Sequence, residues 1–472
     1  MTPARTKPQA YGKAGPRIKD PVRRPPAPGG ILAAMREALT RFLRELDAEE
    51  VGREIYAFAE EAYPICRSIT GDGVRETLAI LRRLIPLEIR EVPTGTRVFD
   101  WTVPKEWNIR DAYVKNARGE RVIDFRRHNL HVLSYSIPVH ETLTLSELRP
   151  HLFTLPEQPD LIPYRTSYYR EQWGFCLAHR QLERLEEGEY EVLIDSTLEP
   201  GHLSYGELFL PGESEETVLI SAHGCHPSLA NDNLSGMGVA ASLARALRGL
   251  ALRYSYRFLF APGTIGAITW LALNEEEART IRHGLVAANL GDGGPFHYKE
   301  SRRGDCEIDQ VVKRVLREAG EPYEIERFLP FGYDERQYCS PGFDLAVGSL
   351  TRTPWGRYPE YHTSADNLDL VRPENLGASL RRYLEVVHML EHNRRYRNLN
   401  PRCEPQLGRR GLYRAIGGSD AGRERELALL WVLNLSDGNH SLLDLAERAD
   451  IRFEHVLEAA RALLEADLLE AC

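Results

Sequence analysis

His223-Gly-Cys-His-Pro-Ser-Leu-Ala-Asn-Asp232-Asn-Leu-Ser-Gly236 follows an apolar run, Thr217 to Ser221, and precedes Met237 to Leu250, whose Ala/Leu spacing has the period of a helix. The apolar run reads as a buried strand, so imidazoles and a carboxylate stand together in a strand-to-helix turn. In open α/β sheets such turns collect ligands, because strand ends aim side chains into a crevice that helix N-termini polarise. Imidazole and carboxylate suit zinc or a similar divalent ion. His and Asp taken singly are also ordinary turn formers and helix caps.

Outward from this string, strand-like and helix-like segments alternate from Gly206 onward: Glu207 to Leu210, Thr217 to Ser221, a helix over 235–250, Tyr254 to Phe260, a helix over 265–280, then Gly284 to Leu290. Such spacing implies right-handed crossovers and a mostly parallel sheet flanked by helices, an α/β fold. Leu345-Ala-Val347 and a long helix from Pro373 to His392 complete that domain, and Pro401 to Pro405 reads as a linker. Upstream, helical periodicity runs through Ile31 to Leu46, Val51 to Ala62 and Gly73 to Leu84. From Leu87 the texture changes to short β-like runs punctuated by Pro, Gly and Asn.

The expected layout is a disordered basic tail over 1–34, one domain over 35–86 and 188–400, an inserted β-rich module over 87–187, and a winged-helix-like domain over 406–472. Three helical segments, Glu424 to Leu435, Ser441 to Arg448 and Glu454 to Ala466, carry that last expectation. The third holds Glu454, Glu458 and Glu465 against Arg461 alone, which disfavours DNA as its partner. A formal net charge of -9 points the same way for the whole chain.

Among 472 residues, 42% hydrophobic and 27% charged, no apolar run approaches the roughly 18 residues of a membrane span. Seven cysteines in a chain this long do not make a disulfide framework, so the cytoplasm is the expected compartment. The expected partners are a small-molecule or peptide substrate and, through the winged helix or β module, a second copy of the chain.

Three further stretches place metal-seeking side chains beyond apolar runs: Asp292 after a strand, Asp334-Glu335-Arg336 in a Gly/Pro-rich loop, and Glu360-Tyr-His362-Thr-Ser-Ala-Asp366. The order His223, Asp232-Asn-Leu-Ser-Gly236, Asp292, His362-Thr-Ser-Ala-Asp366 resembles the co-catalytic zinc aminopeptidases, relatives of glutamate carboxypeptidase. His226 to Gly236, Tyr298 to Gly304 and Asp334 to Gly342 are more closely similar to a bacterial subgroup, polysaccharide-biosynthesis proteins with an aminopeptidase-like domain and a C-terminal winged helix. The resemblance implies a zinc-aminopeptidase-like fold with Asp232 bridging two metals, His223 and Asp292 completing one site and His362 belonging to the other. It implies hydrolysis of an amide, such as an N-terminal aminoacyl or N-acyl group, on a peptide, small metabolite or sugar conjugate.

Two departures qualify that implication. The family's Glu-Glu pair, a general base and a ligand, aligns with Gly263 and Thr264, which offer neither function. Cys225 stands where the family has an Asp that orients the metal-bound His, so Cys225 or His226 is a further candidate ligand. One tightly held zinc is expected, with His223, Asp232 and Asp292 as ligands and His362 nearby, and a second ion weakly held or absent. Catalysis would need a base from elsewhere, for which Glu335 and Glu360 are the candidates. Arg336, Arg165, Tyr333 and Tyr361 are candidates for binding a substrate carboxylate or sugar hydroxyls. The competing reading is a metal-binding pseudoenzyme that serves as a binding or scaffold protein.

Overall fold

A strand buried on both faces must send alternate side chains into two different cores, and the central strands do so. The protein is described here by a computed structural model covering residues 38–412 and 420–472, with side chains 420–423 excepted. The tail expected over 1–34 lies outside the described residues. The main sheet has eight strands: β1 (Glu88–Pro93), β2 (His202–Leu210), β3 (Thr217–His223), β4 (Ser255–Ala261), β5 (Ile281–Ala287), β6 (Phe296–Lys299), β7 (Tyr323–Glu326) and β8 (Val347–Thr351). Their spatial order is β1-β2-β4-β3-β5-β8-β6-β7. The four central strands β4, β3, β5 and β8 are parallel, while β1, β2 and the β6–β8 pairing are antiparallel.

Val218, Ile220 and Ala222 of β3 enter one core with Tyr256, Phe258 and Phe260 of β4; Leu219 and Leu259 enter the other. The period of two is what a doubly covered sheet requires. On the first face lie α1 (Ala48–Ala62), α2 (Asp72–Leu84), α3 (Gly236–Leu247), α4 (Glu307–Ala319) and α5 (Pro373–His392). The second face is covered by the helix Ile265–Leu273 and by the β-rich insert.

The helix expected over 265–280 is broken. Asn274 has a non-helical backbone (φ -135°, ψ 46°) and donates from Nδ2 to Trp270 O, and a separate turn, Glu275–Arg279, follows. Glu275, Glu276 and Glu277 point into solvent, as a charge run usually does. Strand β5 begins at Ile281, three residues before the expected start.

The insert carries an antiparallel sheet of Arg121–Asp124, Glu106–Lys115, Glu189–Glu199 and Val139–Thr144, in that order. The boundary expected at 187/188 falls just before Glu189–Glu199, which pairs inside this sheet. At the other end of the chain, helices Asp420–Leu435, Leu442–Ala449 and Phe453–Glu465 pack with a short antiparallel sheet against the first core. Arg314 of α4 donates to Ala446 O and Ile451 O, so this C-terminal unit docks on its own chain. The seven cysteines are all free, and among the described residues no helix is long and apolar enough to cross a membrane.

Helices α1 and α5 cross through two glycines. A Cβ on Gly377 would stand 1.8 Å from Ala48 O, and one on Gly52 would stand 1.9 Å from Pro373 O. Gly377→Ala therefore forces the helices apart, and a loss of about 2 kcal/mol is expected from overpacking against backbone. A chemical-denaturation midpoint equal to wild type would refute that close approach.

Candidate metal centre

The register of the sheet puts the relevant residues at one edge. His223 is the last residue of β3 and pairs with Ala261, so it faces the Ala261–Gly266 turn. Between β3 and α3 the chain folds irregularly over Ala230–Ser235, and its polar side chains fasten it. Asn233 Nδ2 donates to His223 O and to Ala287 O at 3.2 and 3.0 Å, joining the ends of β3 and β5. Its Oδ1 accepts from Gly236 N at 3.2 Å. Ser235 Oγ donates to Asn231 O at 2.6 Å and accepts from Leu290 N at 2.9 Å. Asp366, fully buried, accepts from Asn231 N at 2.6 Å, Asp232 N at 3.1 Å and Tyr358 OH at 3.2 Å.

That scaffold presents the Asp232 carboxylate to three imidazoles. His223 Nε2 lies 2.8 Å from Oδ1, His362 Nε2 lies 3.1 Å from Oδ2, and His226 Nδ1 lies 3.3 Å from Oδ2. The donor atoms of His223, His226 and Asp232 all fall within 4.8 Å of one another. Burial by itself would raise the Asp232 carboxyl, but the charges and hydrogen bonds of His226 and His223 hold it well below the usual carboxylate range. Burial works to lower His226, yet Asp232 keeps it well above an ordinary imidazole. His362 is lowered by burial, with Asp232 acting the other way. Three imidazoles converging on one buried carboxylate fit the donor preference of zinc.

The surroundings hold these rings in place. Tyr333 stacks on His223 with centroids 5.6 Å apart, and Tyr361 stacks on His362 at 3.9 Å. Buried Arg67 donates from Nε to His226 O at 2.8 Å. The insert supplies a further wall: Tyr164 meets His226 and His362 edge-on at 5.1 and 5.0 Å. It is brought there by hydrogen bonds between the 158–164 and 359–364 segments, including Tyr164 N to His362 O at 2.8 Å and Ser364 N to Ile162 O at 2.9 Å.

Of the residues singled out from sequence, His223, Asp232 and His362 come together, and Tyr333 and Tyr361 lie against them. Asp292 is buried beside the cluster, but its oxygens accept from Asn231 Nδ2 at 2.9 Å, Thr353 Oγ1 at 2.6 Å and Gly294 N at 2.7 Å. Two of these bonds fall on Oδ1 and one on Oδ2, so Oδ2 keeps a lone pair with which to ligate an ion. Glu335 is fully buried and ion-paired with Lys299. Glu360 is half-buried, and its main-chain carbonyl accepts from Thr363 N at 3.0 Å. Arg336 lies over the Phe331 ring, 5.8 Å from its centroid, and Arg165 is exposed.

Sequence reasoning gave too little weight to His226, whose His-x-x-His spacing with His223 was the available signal. It missed Tyr164, for which no local signal existed, and it singled out Asp334 only as part of the Asp334-Glu335-Arg336 stretch. Cys225 is buried, with Sγ 3.8 Å from Gly263 O.

Residues 56–393 match the family described as a domain of unknown function, DUF4910, and residues 394–471 match a winged helix-turn-helix family. A Clostridium acetobutylicum protein is 53% identical over 434 residues, 92% of this chain and 99% of its own; it is provisionally named a polysaccharide biosynthesis protein with an aminopeptidase-like domain. The crystal structure of a protein from the same organism, provisionally named a peptidase, superposes with a TM-score of 0.88 at 51% identity, covering 93% of this chain and 100% of that one. A zinc aminopeptidase from Bacillus subtilis shares the fold with a TM-score of 0.54 at 13% identity, covering 73% of this chain and 95% of its own.

Proposed function

Since the chain belongs to the DUF4910 family and has an aminopeptidase-like fold, we propose that it is a metal-dependent hydrolase of an amide bond, releasing an aminoacyl or N-acyl group from a peptide, small metabolite or sugar conjugate. The observation that carries this reading is the convergence of His223, His226 and His362 on the Asp232 carboxylate. A purely structural zinc site more often closes its shell with four Cys or His ligands, whereas a carboxylate among imidazoles is usual where chemistry is done.

Asp232 and the three histidines would hold the ion, with Asp292 next to them. When bound, it would supply Lewis-acid polarisation of the scissile carbonyl and make water more acidic. The protein's own groups do the rest. Asp366 fixes the backbone of Asp232 through two N–H bonds, Tyr333 and Tyr361 keep the His223 and His362 rings in their rotamers, and Tyr164 shields His226. Holding donors this tightly is how a scaffold preserves a productive geometry.

The second reading, a metal-binding scaffold without turnover, is favoured by Gly263-Thr264, which puts no carboxylate on the turn facing His223. Metal content by mass spectrometry on protein purified without added metal, followed by a panel of aminoacyl and N-acyl substrates, separates the two. Roughly one ion per chain with turnover of any amide supports the hydrolase. Metal without turnover of any panel member supports the scaffold, and protein that takes up no zinc at all excludes both.

A further inference from the structure

The wall of the centre beside Gly263 carries a carboxylate from a different part of the chain. A Cβ built on Gly263 would stand 3.2 Å from His223 Cβ and 3.6 Å from Asp334 Oδ1. Asp334 directly follows Tyr333, the ring stacked on His223, and precedes the short helix Glu335–Tyr338. It is 2% exposed, and its Oδ1 is buried without a hydrogen-bond partner.

A carboxylate oxygen removed from water without a donor is destabilising by several kcal/mol, so folds rarely retain one without a use. The neighbouring Glu335 has a structural counter-charge in Lys299, but Oδ1 of Asp334 instead borders the space that glycine leaves open next to His223. A substrate carbonyl brought to His223 from the Gly263 side would come up against that oxygen. An acceptor-only group with a free lone pair, already desolvated, suits proton abstraction there.

We propose that Asp334 is the proton-accepting catalytic residue of this centre, working through the space above Gly263. The assignment rests on the hydrolase reading. In the step it serves, the oxygen of a water molecule bonds to the amide carbonyl carbon while one of its protons passes to the Asp334 carboxylate. The C–N bond then breaks, its electron pair stays on nitrogen, and the Asp334 carboxylic acid returns the proton to that nitrogen. The products are a carboxylic acid and an amine, and Asp334 is again a carboxylate.

The test uses full-length protein loaded with cobalt(II), whose visible spectrum reports the centre without any substrate. Wild type, Asp334→Asn and Asp334→Glu are compared for cobalt content, for the pH midpoint of the spectrum, and for turnover of whichever amide the panel identifies. The expected result is an unchanged cobalt content in Asp334→Asn, a midpoint moved by about one pH unit, and turnover lower by roughly 10²–10⁴-fold. Asp334→Glu should recover part of both, which also covers the case in which the Asn variant fails to fold. A midpoint identical to wild type in Asp334→Asn overturns the assignment. So does loss of cobalt with an unchanged circular dichroism spectrum, because the carboxylate would then be holding the ion. Wild type that binds no cobalt overturns the hydrolase reading and this assignment with it, an outcome visible before any variant is compared.

Discussion

Asp232→Ala is expected to lower zinc affinity by at least about 100-fold and to leave purified protein with little bound metal. The size of the effect follows from the arrangement. Asp232 is fully buried, and each of the three imidazoles points a ring nitrogen at one of its two oxygens. Removing the carboxylate deletes the one anionic donor that the histidines share and leaves three imidazoles facing one another. His226, which Asp232 helps to hold well above its ordinary pKa against burial, would lose that support. Isothermal titration with zinc and mass-spectrometric metal content both read the result. Wild-type stoichiometry and affinity in Asp232→Ala would remove the centre from consideration.

Asp366→Ala should reach the same centre without touching the donors. Its carboxylate accepts from the backbone N–H groups of Asn231 and Asp232 and from the Tyr358 hydroxyl. The alanine variant leaves two buried N–H groups unsatisfied at about 1–3 kcal/mol each, so a stability loss of about 2–6 kcal/mol is expected. Because the same bonds set the height of Asp232 over His223, zinc affinity should fall as well, by about 10–100-fold. Asp366→Asn keeps a carbonyl acceptor and should lie between. Burial, and then the charge of Asp232, push the Asp366 carboxyl up to about 7, so the asparagine mimics its neutral form. Denaturant titration and zinc binding on the same preparations check both parts. A full loss of stability with unchanged zinc affinity would show that Asp366 supports the fold alone.

The fold was largely legible because its signals are local. The β3 run, the Ala/Leu spacing of α3 and the span of α5 from Pro373 to His392 are fixed by side-chain period and by proline at a helix start. The break at Asn274 was not, since a single amide bonding Trp270 O ends a helix whose flanks both have helical composition. His223, Asp232 and His362 were legible as a set because their motifs recur in zinc aminopeptidases. Glu335 and Asp334 are adjacent in sequence, but successive residues of a turn point different ways: Glu335 pairs with Lys299, while Asp334 stands beside Gly263.

By itself, then, the sequence determined the alternating architecture, the C-terminal helical unit, the string that carries Asp232 and the absence of a carboxylate at 263 and 264. Those properties depend on residue identity and on spacing along one segment. Tertiary structure alone decided that His226 turns its ring toward Asp232, that Tyr164 of the insert walls the cluster, that Asp292 accepts from Asn231 and Thr353, and that Asp334 stands beside Gly263. Each of these is a contact between segments tens of residues apart or a choice of side-chain direction. Both are set by how strands and loops pack in space, which no local pattern encodes.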